Sequence, residues 1–311
     1  MSSASGRTRP EADPPSDFFT FENGALSPCS RDLLPEEPLG IVLDGEPLIT
    51  LMRTPGHEED LALGFLLTEG LIRSAAEVGA ISFCREGVAG ARNEVRVHLA
   101  SGVKPARPLP AHRKVYSSCS VCGAEMIEEA AAGIAPFRRP AGRIAPGDVF
   151  ILAEGMKVSQ ELFKRTGAAH GAALLRNCLT LPCHSRESGN PDVRPAVLDS
   201  RFRGNDNPLV REDIGRHNAL DKAIGAAARQ GIPLSESLLL LSGRLSFEMV
   251  AKAARAGISD VAAVSAPSAL AVTLGRTLNM FLAGFVRNRT MTVYSGADAL
   301  QTGNARLPGS D

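Results

Sequence analysis

The sequence predicts an α/β protein, with a mixed, largely parallel sheet flanked by helices and a smaller N-terminal α+β part. Two observations carry that prediction. From Arg211 onward, short apolar runs alternate with helical stretches over short connections, the pattern of parallel strands covered by crossover helices. Between residues 38 and 113, a hairpin and a half-buried strand accompany a single helical run. A length of 311 residues is enough for one large or two smaller domains.

Residues 1–37 are rich in Pro, Ser, Gly and charge and are expected to form a disordered leader, with Cys29 of no consequence. Leu39 to Thr54 reads as a hairpin, because Asp44-Gly45 accepts the positive φ of a tight turn between two apolar runs. Leu61 to Gly70 reads as a helix, framed by acidic residues in its first turn and by Gly70 at its end. His57 precedes it as a cap or surface group. Glu94 to Leu99 alternates like a half-buried strand, which puts His98 on the wet face.

Lys114-Val-Tyr-Ser-Ser-Cys-Ser-Val-Cys-Gly123 follows, and a helical run covers Ala124 to Ala132. It places two thiols, Cys119 and Cys122, among small residues just before a helix. The unpaired N–H groups of a helix start favour an anion, and Lys114 adds positive charge, so a thiol pKa falls from about 8.5 toward neutrality. A thiolate on a flexible loop suits nucleophilic sulfur chemistry. The motif alone also fits half of a zinc site, a dithiol oxidoreductase or chance spacing.

Pro146 to Arg165 reads as one helix, with Phe150, Ile151, Val158, Leu162 and Phe163 as core candidates, and Thr166 to Leu175 ends as a buried strand. His170 there is either a hydrogen-bonded core residue or a neighbour of the thiol loop. Residues 176–209 stand apart. They are polar and repeat Ser-Arg-x-x-Gly-Asn at Ser185–Asn190 and Ser200–Asn205, and they carry four prolines. They are expected to be an inserted excursion between two strands, with Cys178, Cys183 and His184 incidental to it. The expected division is a leader at 1–37, an N-terminal subdomain at 38–113, a main domain at 114–298 and a flexible tail at 299–311.

After Arg211 come a helix entered near His217, strands Leu238–Ser242 and Val261–Ser265 with a helix after each, and two last strands, Phe281–Val286 and Met291–Tyr294. Ligands bind such sheets beyond the carboxyl ends of the strands. Those ends carry Ser242-Gly243-Arg244, Ser265 to Ser268, and Gly284 to Thr290. Their hydroxyls and arginines suit a phosphorylated ligand, since the guanidinium fork matches phosphate oxygens.

Formal net charge is zero, which argues against a general nucleic-acid or membrane-surface binder. Six cysteines in this length do not form a disulfide framework and fit a reducing compartment. No signal-peptide pattern opens the chain, and its longest apolar run, Leu61 to Thr68, is too short to span a bilayer. The expected location is the cytoplasm.

Several motifs together resemble the formate dehydrogenase accessory sulfurtransferase family (FdhD/NarQ). They are Arg53-Thr-Pro-Gly56, Leu61-Ala-Leu-Gly-Phe-Leu-Leu-Thr-Glu-Gly70, Ser118-Cys-Ser-Val-Cys-Gly123, Thr166-Gly167 with His170, Arg211-Glu-Asp-Ile-Gly-Arg-His-Asn-Ala-Leu-Asp-Lys222 and Ser242-Gly-Arg-Leu-Ser-Phe-Glu-Met249. The resemblance implies a cytidine-deaminase-like fold and a homodimer. It also implies an enzyme that takes sulfur from a cysteine desulfurase and passes it to the bis-(molybdopterin guanine dinucleotide) molybdenum cofactor before insertion into formate dehydrogenase. That cofactor is the substrate, and neither a permanent cofactor nor a metal is implied.

The persulfide-carrying cysteine corresponds to Cys119, with Cys122 as its partner. The cofactor segment corresponds to Phe285, Val286, Arg287, Asn288, Arg289 and Thr290. Thr290 stands where the family usually has Arg. Two rival readings are a chaperone that only holds the cofactor and a zinc nucleobase deaminase. Deamination needs His-x-Glu followed by Pro-Cys-x-x-Cys. Here Gly171 and Ala172 follow His170, and the cysteine pair precedes it.

Overall fold

A computed structural model describes residues 18–84, 93–107, 123–176 and 208–301. Phe18–Glu22 (β1) and Ala25–Cys29 (β2) form an antiparallel hairpin. Asn23 and Gly24 take φ values of 51° and 81° at its tight turn. The leader expected to lack order through residue 37 is therefore ordered from Phe18. Its pattern was hidden because Phe19, Phe21 and Leu26 are exposed, so no buried face imposes an alternation.

A four-stranded sheet follows, in the order β4-β3-β6-β5, from Glu37–Leu43 (β3), Glu46–Arg53 (β4), Val78–Cys84 (β5) and Glu94–Leu99 (β6). Asp44 and Gly45 turn the β3–β4 hairpin at φ 49° and 90°, as their residue types require. Between β4 and β5 runs helix α1, Glu58–Thr68.

Helices α2 (Gly123–Ala131), α3 (Pro146–Ser159) and α4 (Glu161–Thr166) lead into the second sheet. Its strands are His170–Arg176 (β7), Leu209–Asp213 (β8), Ser237–Leu241 (β9), Asp260–Ala263 (β10), Phe281–Arg287 (β11) and Thr290–Ser295 (β12). Helices α5 (Arg216–Arg229), α6 (Phe247–Arg255) and α7 (Ala269–Thr277) connect them. The order is β12-β11-β10-β9-β7-β8. Only β9, β10 and β11 are parallel, and β7, β8 and β12 join antiparallel. The sheet is thus mixed, with a parallel centre.

Period-2 alternation divides its side chains between two cores. Leu239, Leu241, Val261 and Leu282 face α1, α5, α6 and α7. Leu238, Leu240, Ala262, Phe281 and Ala283 face α3. The first core also takes in Leu39, Ile41, Leu43, Val95 and Val97 of the four-stranded sheet. The boundary expected near residue 113 therefore separates two sheets that share one core.

Two glycines make that union possible. A Cβ on Gly64 of α1 would lie 1.7 Å from the carbonyl oxygen of Asp221, and one on Gly225 of α5 would lie 1.9 Å from that of Asp60. Backbone meets backbone where these helices cross.

The single helix expected over 146–165 is broken at Gln160, whose ψ of 79° is not helical. The buried face is Val149, Leu152 and Met156 rather than the expected one. Phe163 is 49% exposed and Val158 56%.

Buried polar networks tie the two sheets together. Lys222 Nζ lies 2.6 Å from Asp213 Oδ2, both side chains at most 1% exposed, and donates to the carbonyl of Thr54 at 2.8 Å. Asp213 also accepts from the backbone N–H groups of Thr54 and Gly215 and from Asn218 Nδ2. Burial pulls the Lys222 ammonium pKa down, and Asp213 opposes the shift. Lys252 is held by Asp221, Thr68 and Glu69 at 2.8–3.0 Å. Removing one partner strands the other charge in the interior. Lys222→Met is expected to cost about 3–5 kcal/mol of stability, readable as a lowered denaturant midpoint.

Candidate functional site

A cavity of about 590 Å³ opens beyond the carboxyl ends of the parallel strands, on the α3 face. Helices α3 and α4 supply Phe150, Glu154, Lys157 and Phe163 as one wall. The sheet supplies His170 at the start of β7, Ser242 after β9 and Val264 after β10. Val286, Arg287, Asn288 and Arg289 form the opposite wall. Of the six residues expected to bind the cofactor, these four line the cavity.

The local backbone explains the arrangement. Pairing of β11 with β12 is irregular between Gly284 and Arg287, and Phe285 sits there at φ 54°. A Cβ on Gly284 would approach Ser265 O and Pro267 Cδ to 3.0 Å each, so only glycine lets β11 pass this loop. The Phe285 N–H donates to Ser265 O at 3.2 Å. Asn288 and Arg289, at φ 49° and 56°, then make a tight turn with both central residues left-handed. Thr290 Oγ1 donates to the Arg287 carbonyl at 2.8 Å. Thr290 braces the turn and does not line the cavity. Phe285 is 39% exposed, with the Arg287 guanidinium 5.8 Å from its ring centre.

Two of the three loops expected to converge do so. Ser265–Ser268 instead supports β11 from below, through the Gly284 approach and the Phe285 hydrogen bond. Arg244 points to solvent. Cys119 and Cys122 lie outside the described residues. Phe150 and Phe163 were expected in the core because a helix period assigns apolar members there, and Glu154 and Lys157 read as an ordinary solvated face, so these four cavity-lining residues were missed. Gln160, where the helix breaks, and Phe163 after it line the cavity as well.

His170 faces Ser242-Gly243. The Gly171 N–H donates to Ser242 Oγ at 2.8 Å, and the Ser242 N–H donates to the Gly171 carbonyl at 2.9 Å. Burial lowers the His170 pKa, and Arg216 and His217 lower it further, so its imidazole is neutral at pH 7. His57 is lowered as well, first by burial and then by Arg211.

The sign of the linkage follows from these shifts. The unfolded chain binds these protons more readily than the folded one, so stability is complete above about pH 6.5 and declines as pH falls through the lowered values. Melting temperature is expected to drop on acidification from pH 7 to 5, with a shallower slope in His170→Gln. An identical slope would show that His170 does not contribute.

A second hollow of about 310 Å³ lies at His57, Glu58, Glu59, Asp60, Phe83 and Arg229. Its carboxylates are occupied: Asp60 pairs with Arg211 at 3.0 Å and with Arg229 at 2.8 Å, and Glu59 with Arg229 at 2.9 Å. Among the described residues, no group of three or more His, Cys, Asp or Glu side chains is placed to hold a metal ion. None of the described helices is long and apolar enough to cross a membrane.

A sequence profile of the FdhD/NarQ family matches residues 34–183 and 201–301. A sulfur carrier protein FdhD from Anaeromyxobacter dehalogenans is 40% identical over 288 residues, spanning 87% of this chain and 89% of its own length. The protein of that name from Streptomyces coelicolor is 39% identical over 286 residues, 89% of this chain and 92% of its own. The one from Mycobacterium tuberculosis is 40% identical over 276 residues, 85% and 90% respectively. In fold, the chain is similar to the crystal structure of a protein described as a formate dehydrogenase accessory protein from Desulfotalea psychrophila. The TM-score is 0.65 at 21% identity, covering 91% of this chain and 97% of that one.

Proposed function

The chain belongs to the FdhD/NarQ family, and on that premise we propose that it is a sulfurtransferase serving formate dehydrogenase, with Cys119 as its sulfur-carrying residue. What most supports the sulfur half of this reading is identity near 40% to sulfur carrier proteins over more than four fifths of the chain. What supports the cofactor half is the cavity, where two arginines on a fixed turn face an aromatic and apolar helical wall. Such walls suit a ligand that is flat at one end and anionic at the other.

The carrier step needs only the chemistry of thiols. The Cys119 thiolate attacks the outer sulfur of a persulfide on a cysteine desulfurase. The new S–S bond forms as the old one breaks, and the desulfurase thiolate leaves with the electron pair. Cys119 is left as Cys–S–SH, a covalent intermediate. Cys122 immediately precedes Gly123 in sequence, and a helix start following a thiol favours its thiolate. It receives the sulfur or displaces it by forming a disulfide with Cys119.

The recipient is the bis-(molybdopterin guanine dinucleotide) molybdenum cofactor on its way to the catalytic subunit of formate dehydrogenase. Arg287 and Arg289 bind its phosphates and Asn288 contributes polar contacts. The protein acts as a cytoplasmic homodimer.

The test is incubation with a cysteine desulfurase and sulfur-labelled cysteine, followed by mass spectrometry. The expected result is one added sulfur on the peptide containing Cys119. Absence of label there, with guanosine diphosphate still bound, would favour a chaperone that holds the cofactor without carrying sulfur.

A further inference from the structure

Three motifs far apart in sequence meet at the His170 end of the cavity, and neither the thiols nor the arginine turn accounts for them. His170 begins β7, Arg216 and His217 begin α5, and Ser242 to Ser246 join β9 to α6. Gly243 lies at their centre. A Cβ there would stand 3.4 Å from His170 Nδ1 and 3.9 Å from Arg216 Cδ, so its missing side chain leaves the space between imidazole and guanidinium open.

The polar groups around that space are unsatisfied. Six buried side-chain atoms among the described residues lack a hydrogen-bond partner. Three of them are Arg216 Nε, whose side chain borders the Gly243 space, His217 Nε2 on the next residue of α5, and Ser246 Oγ, three residues after Gly243 in the β9–α6 connection. His217 Nε2 lies 2.8 Å from Glu248 Oε2, an ion pair only when the imidazole is protonated. Ser246 is the N-cap residue of α6, yet its hydroxyl caps nothing. Buried polar atoms are normally paired, and an orphan marks a strained or ligand-binding position.

The charge balance favours an anion. The first turn of α5 holds no acidic residue, and that helix begins with Arg216, whose Cδ lies 3.9 Å from where a Cβ on Gly243 would stand. Asp213 is engaged by Lys222 and Asn218, and Glu212 by the N–H groups of Leu162 and Phe163, while the Glu248 carboxylate lies beside His217.

We propose that His170, Arg216, His217 and Ser246 form a second oxyanion subsite, which holds a phosphate or oxo-metal group of the substrate while Arg287 and Arg289 hold its nucleotide end. This rests on the proposed function for the identity of the substrate. The subsite itself rests on the orphaned atoms. His170 and Ser242 line the same cavity as the arginine turn, so one extended ligand reaches both ends. His170 offers a neutral imidazole that donates to an oxygen without adding a fixed charge.

The test uses the full-length chain with three probes: inorganic phosphate, molybdate and guanosine diphosphate. Ring signals of the histidines are followed by NMR and affinities by calorimetry. Phosphate or molybdate is expected to shift the His170 and His217 signals, and Arg216→Gln to weaken that binding about tenfold or more. The same variant keeps its affinity for guanosine diphosphate within about twofold, because charge-assisted contacts at the arginine turn are untouched. Preference for molybdate assigns the subsite to the metal end, and preference for phosphate to a phosphate group; either supports it.

Unshifted histidine signals with both anions, while guanosine diphosphate binds, overturn the subsite and leave the function standing. Failure of guanosine diphosphate to bind the unaltered protein overturns the cofactor reading instead, and the anion titration still decides the subsite. Should Arg216→Gln not fold, Ser246→Ala removes a hydroxyl that has no hydrogen-bond partner among the described residues. A loss of about threefold or more in anion affinity is expected there, and an unchanged affinity refutes the proposal.

Discussion

Cys119→Ala is expected to yield a folded protein that binds guanosine diphosphate like the unaltered chain, carries no sulfane sulfur and fails to activate formate dehydrogenase. The loss is on the order of 10³-fold or more, as when a covalent nucleophile is removed from a catalytic unit. The separation of effects is the informative part. The cavity is built by α3, α4, the ends of the central strands and the β11–β12 turn, and the described cores by the strands of both sheets and the helices packed on them. Cys122→Ala is the natural companion. If Cys122 displaces the sulfur, that variant accumulates label on Cys119 and turns over slowly. If it receives the sulfur, label stays on Cys119 and delivery stops. Sulfane sulfur on Cys119→Ala at the level of the unaltered chain would remove this residue from the reaction.

Gly64→Ala is the second large effect, and it acts on the fold. One methyl group placed 1.7 Å from the Asp221 carbonyl oxygen cannot be accommodated by a rotamer change, because the obstacle is backbone. The helices must separate. Doing so pulls Asp221 from Thr68, whose hydroxyl donates to it at 2.7 Å, and disturbs the Lys252 ammonium lodged with both. Overpacking ordinarily costs about 1–3 kcal/mol, occasionally more, and disruption of a buried charged group adds to that. A domain stability of about 5–15 kcal/mol leaves little margin. The expected outcome is a thermal midpoint lowered by ten degrees or more, on the order of 4–8 °C per kcal/mol for small domains and less for large ones, or an insoluble product. Gly64→Ala melting with the unaltered chain would show that the two helices do not approach as closely as described.

Much of the architecture was legible because local chemistry and global fold agree. Asp44-Gly45 announced its hairpin since few other pairs tolerate two positive φ values. The alternation of strand and helix after Arg211 announced the second sheet, and Phe281–Arg287 and Thr290–Ser295 lie within a residue or two of their expected ends. Of the candidate site, the sequence singled out Ser242 and Arg287 to Arg289 as loop residues with no packing reason to be there, and these line one cavity.

Other features had no local signature. A period of 3.6 could not choose between core and cavity for Phe150 and Phe163, which line the cavity on either side of the break at Gln160. That break places the Gln160 side chain over Gly171, where a Cβ would lie 2.6 Å from Nε2. The β1–β2 hairpin buries little, so no pattern betrayed it. The motif residues Asp213, Asp221 and Lys222 carry the fold together with Lys252, and several are charged positions inside otherwise apolar helices. That mismatch was the available signal. A lysine with no solvent face has to be met by carboxylates from other elements.

The placement of the β7–β8 connection bears on what this chain can tolerate genetically. Strand β7 begins at the cavity with His170 and ends at Arg176, paired with Ser237 at the far margin of the sheet. Strand β8 re-enters there at Leu209, on the outermost position. Both described ends of the connection, Arg176 and Leu209, therefore lie at the margin opposite the ligand, and extra codons between these strands enter there. The entropic cost of a longer link grows only logarithmically, about 0.6 kcal/mol for each doubling. A mobile genetic element landing at that spot would be carried by the lineage with little selection against it, whereas the same cargo after β9 or β11 would obstruct the ligand at once.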